Sequence, residues 1–79
     1  MKEQLIQSKI IKQLEADGWY VLKLIKTNKN GIPDIVAFRN NEFQFIEVKT
    51  EKGVLSELQK YRIKELENLG FKVYVQNKP

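Results

Sequence analysis

The chain has 79 residues, enough for one domain, and its 42% hydrophobic and 30% charged residues are typical of a globular protein. It carries 14 Lys and Arg against 10 Asp and Glu, and the resulting net charge of +4 suits a polyanionic partner. Because it contains no His and no Cys, Ser-His-Asp triads, thiol nucleophiles, His/Cys zinc sites and disulfides are excluded. Any chemistry must use carboxylates, Lys, Tyr, Ser or a hard metal ion.

The sequence shows no sign of membrane insertion or of a second domain. No apolar run approaches the roughly 20 residues that span a bilayer, and charges interrupt the N-terminal segment too often for a secretory leader. No repeat, low-complexity tract or long linker divides the chain. We therefore expect residues 1–79 to form a single cytoplasmic domain that does not associate with membranes.

Hydrophobic periodicity predicts two helices and four strands. Asp17-Gly18 ends the first helix, and Asn40-Asn41 is a plausible two-residue turn between the second and third strands. The predicted elements, in chain order, are a helix at 3–17, strands at 19–26, 34–39 and 42–49, a helix at 56–68 and a strand at 71–76. The order αβββαβ indicates an α/β fold in which helices pack on a small sheet.

The predicted hairpin places two acidic residues side by side. If Asn40-Asn41 forms the turn, Asp34 lies directly opposite Glu47, with Cβ atoms about 4.5–5.5 Å apart, and Lys49 shares their face. Like charges in this position are destabilising, and a bound Mg²⁺ or Mn²⁺ would offset them because these ions prefer carboxylate oxygens. On pattern alone two alternatives stay open: Lys49 neutralises one acid, or all three groups are solvated at a frayed sheet edge.

The first helix carries polar residues inside its apolar stripe. At about 100° per residue, Glu3 and Gln7 fall roughly 60° and 100° from Ile6, within the stripe, whereas Glu15 falls near 180°, beyond its edge. An acid in the first turn also complements the helix dipole, and a frayed first turn can point anywhere. The inward phase of Glu3 nevertheless makes it a candidate for a polar site beside the core.

The second helix repeats this pattern. Gln59 and Arg62 lie on the same side as Leu58. Ser56 and Gln59 fit a capping box, which alone would explain the glutamine, and Arg62 can rest its aliphatic stem on apolar surface. Alternatively, Gln59 and Arg62 both line a polar site next to the core.

Three sequence motifs together resemble the PD-(D/E)XK nuclease superfamily, and within it the VRR-NUC group, whose small stand-alone members are typical of phages. The motifs are GIPD at 31–34, EVK at 47–49 and LSELQ at 55–59. Glu3 matches the acidic residue that this group carries on its first helix, and Gln59 matches the glutamine on the helix after the sheet. The resemblance extends over nearly the whole chain.

The resemblance implies a restriction-endonuclease-like core with a mixed four-stranded sheet, and a Mg²⁺- or Mn²⁺-dependent endodeoxyribonuclease. The implied metal ligands are Asp34, Glu47, the Val48 carbonyl and, directly or through water, Glu3. Lys49 would orient the attacking water or stabilise developing charge, and Gln59 would position Lys49 or a phosphate oxygen. The candidate contacts to nucleic acid are Lys26, Lys29, Lys52 and Arg62.

The small core predicts a homodimer, because a domain of this size buries a low fraction of its surface. Exposed apolar residues are expected among Trp19, Tyr61 and Tyr74. Two symmetric active sites would suit a branched DNA such as a four-way junction, in the bacterial cytoplasm if the protein is of phage origin. The alternatives are a catalytically inactive nucleic-acid-binding module of the same fold and a plain interaction domain.

Overall fold

The computed structural model describes residues 2–79, in which a four-stranded sheet carries one helix on each face. The elements are α1 (Glu3–Ala16), β1 (Tyr20–Lys23), β2 (Ile35–Arg39), β3 (Glu42–Val48), α2 (Glu57–Asn68) and β4 (Lys72–Gln76). The strands lie in the order β1-β2-β3-β4; the first three are antiparallel neighbours, and β4 runs parallel to β3. The predicted αβββαβ order and the mixed sheet are therefore confirmed.

The β2–β3 hairpin turns at Asn40 and Asn41, whose φ angles are 48° and 66°. Positive φ at both central residues is the signature of a type I′ turn, and Asn is one of the few residues that adopt it readily. A two-residue loop of this kind fixes the register of the strands, and Ile35 pairs with Ile46. This is the register predicted from the sequence.

The main core lies between α1 and one face of the sheet. Its fully buried members are all aliphatic: Ile6, Ile10, Ile35, Ile46 and Val48. Because successive side chains of a strand point to opposite faces, the residues of β3 that alternate with Ile46 and Val48 face α2 instead. Glu47 is one of them, so the helices flank the sheet on both sides.

Strand β1 is shorter than the predicted 19–26, because it covers only Tyr20–Lys23. The β1–β2 ladder ends at the Lys23–Ile35 pair, followed by one more bond in which the Leu24 N–H donates to the Asp34 carbonyl at 2.7 Å. Beyond this bond the two strands pair no further residues. Residues 25–33 therefore form a loop.

The loop lies against the first turn of α2. Gly31 has a φ of +80°, and a Cβ built on it would lie only 2.7 Å from Leu58 Cγ. A side chain there would need both a strained backbone and a displaced leucine, so glycine is required at this contact. The close approach holds the residues that precede Asp34 against the helix that carries Gln59.

The α2 face of the sheet is only partly covered. Its aromatic rings pack edge to face, as in the Phe38–Phe43 pair at 5.4 Å, yet Tyr20 is 68% exposed and no residue of α2 is buried. The predicted exposure of Tyr61 and Tyr74 is confirmed. The prediction for Trp19 is wrong, because the Arg39 guanidinium lies 4.3 Å from the centre of its ring and covers it.

Among residues 2–79, neither helix combines the length and the apolar composition that crossing a bilayer demands.

Candidate active site

Two carboxylates meet where β2 begins and β3 ends. Asp34 directly precedes β2, and by the hairpin register it stands opposite Glu47 on the face toward α2. The Val48 N–H donates to Asp34 Oδ2 at 2.9 Å, so one Asp34 oxygen is fixed by backbone. The structure thus brings together the acid pair that the sequence predicted.

Glu47 is deeply buried, with only 2% of its surface exposed. Burial is the main cause that raises its pKa to about 7, and the neighbouring charge of Asp34 is the second cause. Lys49 lowers the pKa and Glu3 raises it further. A carboxylate held in this way is destabilised in its charged form, which is the condition that a bound cation relieves.

Lys49 contacts the same carboxylate. Its Nζ lies 3.8 Å from Glu47 Oε2, and its side chain is largely buried. A tight turn at 50–53, closed by a Gly53 N–H to Thr50 carbonyl bond of 2.9 Å, packs against the Lys49 stem. A Cβ at Gly53 would lie 3.3 Å from both Cβ and Cδ of Lys49, so this glycine lets the turn hold the lysine in place. Sequence reasoning did not assign Gly53 a role, although its position in a polar loop was visible.

Gln59 both caps α2 and contacts the buried acid, which are the two roles that the sequence left open. The side-chain Oε1 of Gln59 accepts a hydrogen bond from the Ser56 backbone N–H at 2.9 Å, and the backbone N–H of Gln59 donates to Ser56 Oγ at 3.1 Å. The capping box is therefore complete. Because the cap fixes the oxygen, the amide nitrogen points the other way and donates to Glu47 Oε2 at 3.1 Å. The N-terminal turn of α2 is therefore tied to the buried acid through one amide.

Glu3 reaches the site from α1. It lines a cavity of about 440 Å³ together with Asp34 and Gln7, and Lys23 lies at the same cavity. Gln7 is buried, as its helix phase indicated, and Glu15 is exposed. The helix phases deduced from the sequence thus orient Glu3 toward the acid pair and Glu15 away from it.

The four candidate basic residues fall in three different environments. Lys26 and Lys29 line a second cavity of about 280 Å³ that also includes Asp34. Lys52 lines a separate cavity, and Asp34 is not among the residues that line it. Arg62 Nε donates to the Asn30 carbonyl at 2.9 Å, and its Nη1 pairs with Glu65 at 3.1 Å. Arg62 therefore anchors the 25–33 loop to α2, and the geometry favours this structural role over the predicted phosphate contact.

The donor set at the acid pair fits a hard divalent cation. Gln59 and Lys49 both approach the same oxygen of Glu47, its Oε2, and the second carboxylate, Asp34, lies next to Glu47. The Val48 carbonyl points toward the β2 side, as its N–H does, and its opposite position in the ladder is Pro33, which has no N–H to offer it. Carboxylate and carbonyl oxygens are the ligands that Mg²⁺ accepts.

A third carboxylate does not complete this set directly. Across the described part of the chain, no three Asp or Glu side chains converge closely enough to form a ready cluster. Glu3 lies at the cavity beside Asp34 and would act on a cation there through water. Mg²⁺ usually keeps several waters in proteins, so this arrangement remains compatible with its binding.

A mixed α/β sheet that presents Pro-Asp and Glu-x-Lys elements on adjacent strand ends is the arrangement of a PD-(D/E)XK-type nuclease domain. The family model described as "VRR-NUC domain" matches residues 1–77. A solved structure described as "VRR_NUC domain" is similar to this chain with a TM-score of 0.86 and 26% identity, over 96% of this chain and 84% of the other. A comparison with curated proteins found no match. The chain belongs to the VRR-NUC family, a family of nucleases.

The raised pKa of Glu47 predicts how stability depends on pH in the metal-free protein. With a pKa of about 7 when folded against 4.5 when unfolded, the folded state binds the extra proton between these values. The free energy of unfolding should therefore fall as pH rises through this window. Glu47→Gln should raise that free energy at pH 8 by roughly 1–3 kcal/mol and have little effect near pH 4.5.

Thermal or urea unfolding in EDTA at several pH values measures this difference. Glu15→Gln, at an exposed position of α1, is the matched control and should leave the pH dependence unchanged. A Glu47→Gln protein whose stability tracks wild type at every pH would contradict the buried, destabilised carboxylate.

The two roles of Gln59 can be separated with Gln59→Glu. Glutamate at this position still completes a capping box, but it replaces the amide donor to Glu47 with a second carboxylate. Unfolding of the metal-free variant should show a larger loss of stability at pH 8 than at pH 5. Ser56→Ala removes only the hydroxyl of the cap and should cost about 1 kcal/mol at both pH values. Equal losses for Gln59→Glu at the two pH values would show that its amide does not stabilise Glu47.

Proposed function

We propose that this protein is a divalent-metal-dependent endonuclease that hydrolyses phosphodiester bonds in DNA. The observation that carries this proposal is the paired carboxylates Asp34 and Glu47, with Lys49 and Gln59 both in contact with the buried Glu47. Membership of a nuclease family supports it. An inactive binding module would have no need to hold a buried carboxylate in a destabilised state beside an aligned lysine.

The proposed cofactor is Mg²⁺ or Mn²⁺, held by Asp34, Glu47 and the Val48 carbonyl. When bound, such an ion polarises the scissile phosphate and lowers the pKa of a bound water. Asp34 is positioned for binding by the Val48 N–H. Burial keeps bulk water away from Glu47, which strengthens its interaction with any charge at the site.

Lys49 and Gln59 would supply the remaining chemistry. When a bound cation neutralises the charge of Glu47, the Lys49 ammonium would be available to orient water or to stabilise negative charge that develops on the phosphate. Gln59 restrains the Glu47 carboxylate through its amide nitrogen. Lys26 and Lys29 lie at the cavity next to Asp34, and they would contact backbone phosphates and position the strand.

Cleavage assays with Mg²⁺, Mn²⁺ and EDTA test this activity. Wild type should cut DNA only when a divalent ion is present, and Asp34→Asn or Glu47→Gln should slow cleavage by orders of magnitude in a folded protein. Glu3→Gln should impair cleavage far more than Glu15→Gln, because only Glu3 reaches the site cavity. DNA binding without cleavage by wild type would favour the inactive-module alternative, and full activity in Glu47→Gln would remove Glu47 from the site.

We further propose that the protein acts as a homodimer on branched DNA. The α2 face exposes apolar side chains that include Tyr20, Leu22, Phe43 and Val75. A standard interface buries about 800 Å² per partner, roughly a seventh of this chain's 5720 Å² surface. Two-fold symmetry would place two active sites at a fixed separation, which suits paired cuts across a four-way junction.

Sedimentation at micromolar concentration and cleavage of matched junction and duplex substrates test this assembly. Wild type should be a dimer that prefers the junction. Tyr20→Glu should yield a monomer that loses this preference, whereas Ser8→Glu, which adds the same charge at an exposed position of α1, should behave as wild type. A wild-type monomer that cuts both substrates equally would contradict the dimer and leave the proposed metal site unaffected.

A further inference from the structure

The most exposed large apolar residue of the described chain lies beside the acid pair. Ile25 has 85% of its surface exposed, the highest value among the large hydrophobic residues that the structure leaves in solvent. Single exposed apolar residues are common in a small domain and need no explanation by themselves. Ile25 differs in its place, because it lines both cavities described above that include Asp34. None of the other large apolar residues exposed among residues 2–79 lines either of them.

Backbone hydrogen bonds hold Ile25 close to Asp34. The Leu24 N–H donates to the Asp34 carbonyl at 2.7 Å, and Ile25 is the next residue along the chain. The far end of the same loop is anchored to α2, because Arg62 donates to the Asn30 carbonyl at 2.9 Å. The isoleucine therefore stays beside Asp34 unless the last hydrogen bond between the two strands breaks.

Lysines flank Ile25 on both sides. Lys23 lines one of the two cavities, and Lys26 and Lys29 line the other. Within residues 2–79 none of these three lysines forms a salt bridge, so their charges are available to a polyanion. The sequence Lys-Leu-Ile-Lys at 23–26 thus presents an apolar residue between two cations beside the proposed metal site.

An isoleucine beside a phosphate backbone can gain only from the apolar parts of a nucleotide, above all the face of a base, because a hydrated phosphate offers nothing to an aliphatic group. In an intact duplex the faces of the bases are covered by their stacked neighbours. Proteins that insert apolar side chains between bases must unstack them, and this costs less where a base is already mismatched or unpaired. An exposed isoleucine next to the acid pair therefore favours DNA that is open at the step to be cleaved.

We propose that Ile25 contacts an unstacked base next to the scissile phosphate, while Lys23 and Lys26 bind phosphates on either side of it. The protein would then select DNA whose bases are unpaired or mismatched at the site of cleavage. This inference rests on the DNA binding in the proposed function, but it requires neither a metal ion nor cleavage. It places the preference for open DNA within one protomer, at the loop that leads into Asp34, and is thus separate from the proposed dimer.

DNA binding in EDTA provides the test, since the proposed cofactor is then absent. Fluorescence anisotropy measures the Kd of two short duplexes of equal length, one fully paired and one with a central mismatch, and wild type should bind the mismatched duplex more tightly. Ile25→Ser, which should fold normally because the residue is exposed, should weaken binding to the mismatched duplex about three- to tenfold and leave the paired duplex nearly unchanged. Ile25→Leu should retain the preference, because it keeps an apolar side chain of the same size.

A fluorescent adenine analogue, whose emission rises when it leaves the base stack, reports the proposed contact directly. With the analogue next to the mismatch, wild type should raise its emission and Ile25→Ser should not. Lys23→Gln and Lys26→Gln should weaken binding to both duplexes equally, and each should reduce the salt slope by about one. Leu69→Ser is the matched control, because Leu69 is 69% exposed at the end of α2 remote from Gln59, and it should change none of these readings.

Equal affinity of wild type for the two duplexes would show that the inference is wrong, whether or not the protein cuts DNA. If Ile25→Ser weakens binding to both duplexes alike, or if the emission of the analogue does not rise with wild type, Ile25 does not contact an unstacked base and the inference is also wrong. If wild type binds no DNA, the inference and the proposed function fail together. A mismatch preference that depends on Ile25, in a protein that cuts no DNA with Mg²⁺ or Mn²⁺, would support the inference and overturn the proposed endonuclease activity.

Discussion

The β2–β3 hairpin register is the constraint on which the site depends. A type I′ turn at Asn40 and Asn41 allows only one alignment, and a shift by one residue would send Glu47 into the aliphatic core. In the observed register Ile46 and Val48 fill that core while Glu47 faces α2. The same alternation that builds the hydrophobic core therefore delivers the acid to its partners.

In this buried position the charged form of Glu47 is destabilised, and the neighbouring elements offset this only in part. Burial and the adjacent Asp34 disfavour the carboxylate, while Lys49 and Gln59 stabilise it from one side. Proteins commonly tolerate such strain at functional sites because the surrounding structure fixes it. Here the fixing elements are the loop contact of Gly31, the turn at Gly53 and the cap of α2.

The features set by local patterns were predictable from the sequence. The αβββαβ order follows from periodicity, and the inward phases of Glu3 and Gln59 follow from helical spacing. The end of β1 was missed because the apolar run continues through Leu24 and Ile25, beyond the last pair of the ladder at Lys23 and Ile35. The engagement of Arg62 and the shielding of Trp19 were missed because both rest on long-range contacts that periodicity does not encode.

The side-chain amide of Gln59 bonds to both Ser56 and Glu47, so fraying of the first turn of α2 is coupled to ligand binding at Glu47. Opening of the first turn of α2 releases Oε1 from the Ser56 N–H and frees the amide to leave Glu47, while a ligand that draws charge from Glu47 weakens the bond that helps to hold the turn. Amide hydrogen exchange at the start of α2 would then report on occupancy of a site formed by the sheet. Amide exchange at the N-terminal end of α2 would therefore change with the charge on the Glu47 carboxylate.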